Sequence, residues 1–157
     1  MVAGIGPADA KGMIVGEAPG FEEEKRGEPF VGKSGTLLFG CLSILGIERG
    51  EVYVTNVVKE IPLDDDNRIR RPSGQEIAAW SVMLALEITN VAPVAILCLG
   101  RTAIDALMPE GAKVGERFGS YFAAWHPAYL LHRGLDTTAW VEQQLKPWAD
   151  EVYGAPA

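Results

Sequence analysis

Two cysteines and two histidines among 157 residues are too few for much of the chemistry a chain this size could carry. Cys41 and Cys98 lie far apart, each inside an apolar run, and read as buried free thiols in a helix and a strand. A disulfide framework or a zinc site needs more than these two. With only His126 and His132 beside them, spacing assembles no metal constellation, and no metal ligands are assigned. No apolar run approaches the roughly 18–20 residues of a membrane span, and the N-terminus lacks the basic-then-apolar order of a secretory signal. The expectation is a soluble, cytoplasmic protein with no membrane partner. Gly32-Lys33-Ser34-Gly35 lacks Walker spacing and does not follow a strand directly, which excludes a P-loop. No nucleophile-elbow serine occurs.

Positive charge is scarce as well. The net charge of −7 argues against tight, non-specific binding to nucleic acid, which needs clustered Lys and Arg. The basic residues gather in loops, at Lys25, Arg26, Lys33, Lys59, Arg68, Arg70, Arg71, His132 and Arg133. That pattern suits either a basic rim on an acidic body or ordinary solvated surface.

What is present is enough apolar material, 48% of the residues, for one real core. The reading is a single domain over 1–157, monomeric, with loosely ordered ends at 1–11 and 152–157. Met13–Gly16 and Val52–Asn56 read as short strands, Val94–Leu99 as a strand buried on both faces, and Tyr121–Trp125 as a fourth. Helical spacing follows each: a helix from a Ser34 cap to about Leu45, one opened by the Ser73/Glu76 capping box and running to about Asn90, Arg101–Met108, and about Ala128–Arg133 with Thr137–Glu151. Ile61–Pro72 and Gly111–Gly119 read as loops. A β-then-α unit repeated four times predicts a three-layer α/β/α fold around a four-stranded parallel sheet.

The polar candidates fall at the carboxyl ends of those strands, where open α/β sheets bind ligands. Gly16–Gly35 combines glycines, prolines and mixed charge with Phe21 and Phe30. Phe30, on a rigid Gly/Pro loop, suits stacking against a planar ligand. Asn56 ends the second strand, where its amide can accept and donate together, as one edge of a pyrimidine requires. His126 ends the last strand and can donate to a developing anion. Glu17 is an odd filler for a tight turn unless it binds water, backbone or substrate. Taken singly, each also has a structural use, Phe30 as a satellite core contact, Asn56 as a turn residue and His126 as a strand-end packing group.

Taken together they carry a resemblance. Gly16–Gly20, Glu23-Glu24 and Gly27–Gly35 match the first motif of the uracil-DNA glycosylase superfamily, in its type 4 and related type 5 branch. Val52–Lys59 (VYVTNVVK), Asn67-Arg68, Pro72, Glu76-Ile77 and the closing HPAYLLHR at His126–Arg133 match further elements. The resemblance covers about residues 12 to 146 and implies base flipping and removal of uracil from DNA, as in base excision repair. It assigns Phe30 to stacking on the extruded base, Asn56 to reading its O4/N3 edge and His126 to donating to O2. Glu17, with the Gly16–Ala18 backbone, lines the sugar side, and Glu23 fills the space near C5. Leu130 or Leu131 wedges into the DNA stack, and Lys33, Ser34, Arg71 and Arg133 contact the backbone.

The departures from the family pattern set further expectations. Type 4 enzymes usually hold a [4Fe–4S] cluster on four cysteines. The N-terminal C-x-x-C pair is missing from this sequence, and Glu60 and about Trp80 stand where the other two belong. No cluster and no other cofactor is therefore expected, and the Ile61–Pro72 loop loses a structural tie. Ala18 stands where the best-known branch places a water-activating aspartate, which leaves Glu17 to orient water. Arg68–Pro72 (RIRRP) lacks the nucleophilic histidine of the cross-linking branch. Two other readings stay open: a binding module of the same fold with little catalysis, and a glycosylase for another deaminated or modified base.

Overall fold

The structure is a computed structural model that describes residues 1–155. Five strands form one sheet: β1 (Gly12–Gly16), β2 (Val52–Asn56), β3 (Ala95–Leu99), β4 (Arg117–Phe118) and β5 (Tyr121–Ala124), in the order β2-β1-β3-β5-β4. The four expected strands are there and run parallel. The two-residue β4 adds an antiparallel edge inside the expected Gly111–Gly119 loop, too short to show a period.

Alternate residues of these strands face two apolar cores. Ile14, Val54, Leu97, Leu99 and Phe122 pack with α2 (Lys33–Ile44), α5 (Pro127–Arg133), α6 (Thr137–Trp140) and α7 (Lys146–Tyr153). Met13, Val15, Ile96, Cys98 and Ala123 pack on the other face with α3 (Gly74–Val91) and α4 (Arg101–Leu107). Each such buried side chain contributes about 1.5–3 kcal/mol relative to exposure. Helices α6 and α7 are joined by a widened turn, Val141–Leu145, just ahead of Pro147, which has no N–H to offer the Gln143 carbonyl in an uninterrupted α-helix.

Several local expectations need correction. The Gly16–Gly35 stretch contains a helix, α1 (Phe21–Arg26), with Glu22, Glu23 and Glu24 in its first turn and Lys25 and Arg26 in its last, the arrangement a helix dipole favours. Gly27, at φ +72°, ends it. Ser34 lies inside the first turn of α2 and does not cap it; Gly32 holds the cap position, with no side-chain cap. Residues 1–11 are pinned: Ile5 bridges Val54, Val2 N–H donates to Lys59 O at 2.7 Å, and Val2 and Ala10 are buried. An edge strand has free backbone groups, and this segment occupies those of β2. At the other end α7 continues to Tyr153 with Val152 buried, and of the expected frayed tail residues 156–157 lie outside the described part.

The Ile61–Pro72 loop supplies its own ties. Leu63 bridges Ile69, Asp64 Oδ1 accepts from Asp66 N–H and Arg68 N–H at 2.9 Å, and Arg70 grips Glu76 on α3 through two nitrogens.

Candidate active site

The sheet register brings Gly16 and Asn56 side by side at its carboxyl edge. The ladder runs past the strands, with Val57 N–H donating to Gly16 O at 2.9 Å and Val58 N–H to Glu17 O at 3.0 Å. A side chain at position 16 is impossible without rearrangement, since a Cβ there would stand 2.5 Å from Phe30 Cζ and 2.6 Å from Asn56 Oδ1. Gly100, after β3, makes similar room for His126. Above this floor opens a cleft of about 210 Å³, lined by Glu17, Ala18, Glu23, Phe30, Asn56 and His126. Gly32, Lys33, Ser34 and Gly35 form its rim from the start of α2, and Pro62 and Ile69 reach in from the second loop. Sites for drug-sized ligands run about 300–1,000 Å³, so this one suits a single ring.

Asn56 is 2% exposed, and its Oδ1 has no hydrogen-bond partner among the described residues. A buried polar atom left so costs about 1–3 kcal/mol, which a ligand N–H in the cleft would recover. The strand end carrying it rests on Lys59, which is fully buried and not part of any basic rim. Its Nζ donates to Asn56 O at 2.5 Å, Thr55 Oγ1 at 2.6 Å and Glu87 Oε2 at 2.5 Å, satisfying all three of its donors. Desolvation pushes the Lys59 ammonium pKa down, and Glu87 pulls it back. Glu87 also accepts from Gly4 N–H and Tyr53 Oη, tying the N-terminal segment into the same network.

Phe30 is buried with φ +55°, a left-handed conformation that costs a non-glycine residue about 1–3 kcal/mol. Gly35 admits that conformation, because a Cβ there would overlap the Phe30 carbonyl. The Phe30 ring lies 5.8 Å from the His126 ring, the planes inclined by 29°.

His126 caps α5, and its Nδ1 accepts from Ala128 N–H at 3.1 Å. The proton of the neutral ring therefore sits on Nε2. Desolvation lowers the imidazolium pKa to about 4, against an opposing pull from Glu23. At neutral pH the ring is uncharged and offers one N–H.

Glu17 has one carboxylate oxygen held by Thr102 Oγ1, from the first turn of α4. Glu23 lines the cleft, but its oxygens serve the loop: Oε1 accepts from Gly20 N–H at 3.1 Å, and Oε2 from Val31 N–H at 2.8 Å and Gly32 N–H at 2.6 Å.

The outer candidates are more dispersed. Lys33 is exposed, and Ser34 is half-buried at the rim. Arg71 is exposed beside a separate depression shared with Thr102. Leu130 is 2% exposed and packs into the core, which removes it as a wedge. Leu131, the next residue on α5, is 49% exposed. Arg133 is exposed, with its guanidinium 5.6 Å from the Tyr129 ring centroid. Sequence reasoning missed Thr102, Glu87 and Arg49, whose guanidinium donates to Phe30 O at 2.8 Å. Only contacts across the fold reveal them; Lys59 alone had a signal, in closing the VVK of a buried strand end.

The model of the Uracil DNA glycosylase superfamily matches residues 3–149, and the chain belongs to that family. It is 35% identical over 149 residues to the Type-4 uracil-DNA glycosylase of Archaeoglobus fulgidus, a match covering 84% of this chain and 72% of that one. The Type-4 uracil-DNA glycosylase of Thermotoga maritima is 37% identical over 142 residues (83% and 71%), and that of Pyrobaculum aerophilum 41% over 118 residues (75% and 58%).

These relatives overturn the expectation of a cofactor-free protein. They bear the name of the branch that uses a [4Fe–4S] cluster, and a thiol count over this sequence does not set that aside. The thiols at hand do not themselves fit the group, which takes four thiolates. Cys41 and Cys98 are buried in cores on opposite faces of the sheet, and burial raises both pKa values, that of Cys98 to about 12. Among the described residues no group of three or more His, Cys, Asp or Glu could hold a metal ion.

Proposed function

We propose that this chain is a monofunctional type-4-like DNA glycosylase that flips uracil out of DNA and hydrolyses its N-glycosidic bond. The observation carrying the reading is one small cleft that joins an aromatic platform, an unpartnered buried amide oxygen and an uncharged imidazole N–H. The names of its relatives point the same way.

In this reading the extruded ring rests against Phe30. Asn56 Oδ1 accepts the N3–H of uracil while its amide N–H group donates to O4; cytosine presents the reverse pattern and is refused. As the C1′–N1 bond breaks, its electron pair moves into the base and collects on O2, where His126 Nε2–H donates to it. An uncharged donor in a low-dielectric cleft stabilises that anion without needing to lose a proton. Glu17, steadied by Thr102, orients the water whose oxygen adds to C1′ and takes up the proton it loses. The uracil anion is protonated at N1 from solvent on release, leaving an abasic sugar and free uracil. Glu23 borders the C5 side, where a methyl group would crowd it. Lys33 and Ser34 at the uncapped start of α2, with Arg71 and Arg133, meet phosphates, and Leu131 fills the space the base leaves.

Release of free uracil from a uracil-containing oligonucleotide tests this. Wild type should release it, with Asn56→Ala and His126→Ala strongly impaired. An oligonucleotide left intact by excess wild-type protein overturns the proposal.

A further inference from the structure

Phe30 is held in an unfavourable backbone conformation. The restraint comes from two charged groups, one on either side of its loop. Arg49, in the turn between α2 and β2, donates from Nη1 to Phe30 O at 2.8 Å and from Nη2 to Pro29 O. Its guanidinium also lies 4.5 Å from the Phe39 ring centroid. From the α1 side, Glu23 Oε2 accepts from Val31 N–H at 2.8 Å and Gly32 N–H at 2.6 Å. Phe30 O and Val31 N belong to one peptide group. That peptide is gripped at both poles, its carbonyl by a cation and its N–H by an anion. Phe30 φ changes with a flip of the preceding peptide, whose Pro29 carbonyl the same guanidinium holds. A flip of the Phe30–Val31 peptide would change Phe30 ψ, turning its carbonyl toward the carboxylate and its N–H toward the guanidinium. Like poles would then face each other.

We infer that Arg49, with Glu23 opposite, is a positioning residue that locks the Phe30–Val31 peptide and so presents the Phe30 ring to the flipped base. Arg49 does not line the cleft, so its effect on base excision passes through Phe30. The inference rests on the base-excision reading for its consequence, and on geometry alone for the lock.

The experiment uses wild type, Arg49→Met, Phe30→Ala and the double variant. Single-turnover uracil release is measured alongside amide hydrogen exchange at Val31 and Gly32 and thermal melting. Arg49→Met should slow release about 10- to 100-fold, the range expected when a positioning contact lets a group drift by up to an ångström. In the Phe30→Ala background it should cost little more, because the two act as a unit. Exchange at Val31 and Gly32 should accelerate at least about tenfold with the melting transition nearly unmoved. Arg49→Lys, with one compact donor head in place of a planar fork, should recover part of both effects and serves if Arg49→Met does not fold. Full additivity with Phe30→Ala, or unchanged exchange, overturns the inference. If wild type releases no uracil, the excision reading fails by itself, and the exchange data still decide the lock.

Discussion

Asn56 and Phe30 border the same cleft but are held there by different physics. Asn56 is the last residue of a regular parallel strand, supported from beneath by a fully buried lysine that pairs with Glu87. Phe30 sits in an irregular turn at positive φ, supported from the flanks by a half-buried arginine and a loop carboxylate. The first support is part of the core, so disturbing it disturbs the fold. The second is local, so disturbing it should alter the cleft while the rest of the molecule stands. In the proposed function Asn56 reads a base edge from a strand end, a mounting tied into the core. A stacking platform needs only one ring held in one plane, which a turn can do if its peptide cannot flip.

The largest effect tests the deeper mounting. Lys59→Met leaves Glu87 charged and buried without its partner and should cost about 3–5 kcal/mol of stability in denaturant unfolding. Lys59→Met combined with Glu87→Leu should recover most of that loss, since replacing both members of a buried pair is often near neutral. Recovery of stability without recovery of uracil release would show that the pair also sets the Asn56 geometry.

Next comes the donor that neither mounting touches. His126→Ala should lower the rate of base release about 10²–10³-fold, the usual cost of removing one donor to a developing anion. Gly16→Ala bridges the two regions, because its methyl would push on Phe30 and Asn56 together. Overpacking of this kind costs about 1–3 kcal/mol, and melting with a release assay should show both readouts falling.

The smallest effect is in pH dependence. With a folded-state pKa near 4 against 6.5 for the free group, the unfolded chain takes up the His126 proton first. The stability linked to this group is therefore full above about pH 6.5 and is lost as pH falls toward 4. In the folded protein the ring stays neutral over that window, so base release should show no acid limb at 6.5. A limb there that His126→Ala removes would show an imidazole more solvated than its place at the start of α5 implies.

The fold was readable where a periodic pattern ran long enough. Val94–Leu99 and the Ser73/Glu76 box announce β3 and α3 within a residue or so, because burial on both faces and helix capping leave local marks. Helix α1 was missed although its charges follow the helix dipole, since glycine and proline on either side suggested an unbroken loop. The site was readable as residue types at strand ends, and Glu17, Phe30, Asn56 and His126 do line one cleft. Leu130 and Leu131 could not be told apart by sequence, because adjacent helix positions differ only in which way the helix faces. Lys59 reads from sequence as one more loop cation, and Arg49 and Thr102 carry no local signal. Their partners lie 28, 19 and 85 residues away.

Local order in the chain, then, determined that strands alternate with helices and that polar residues end the strands, because hydrophobic period and turn chemistry act between near neighbours. Tertiary structure alone decided which charge meets which carbonyl, which leucine is hidden and which oxygen is left without a partner. Those outcomes depend on groups brought together from distant parts of the chain, and burial then fixes the strength of each contact by excluding water.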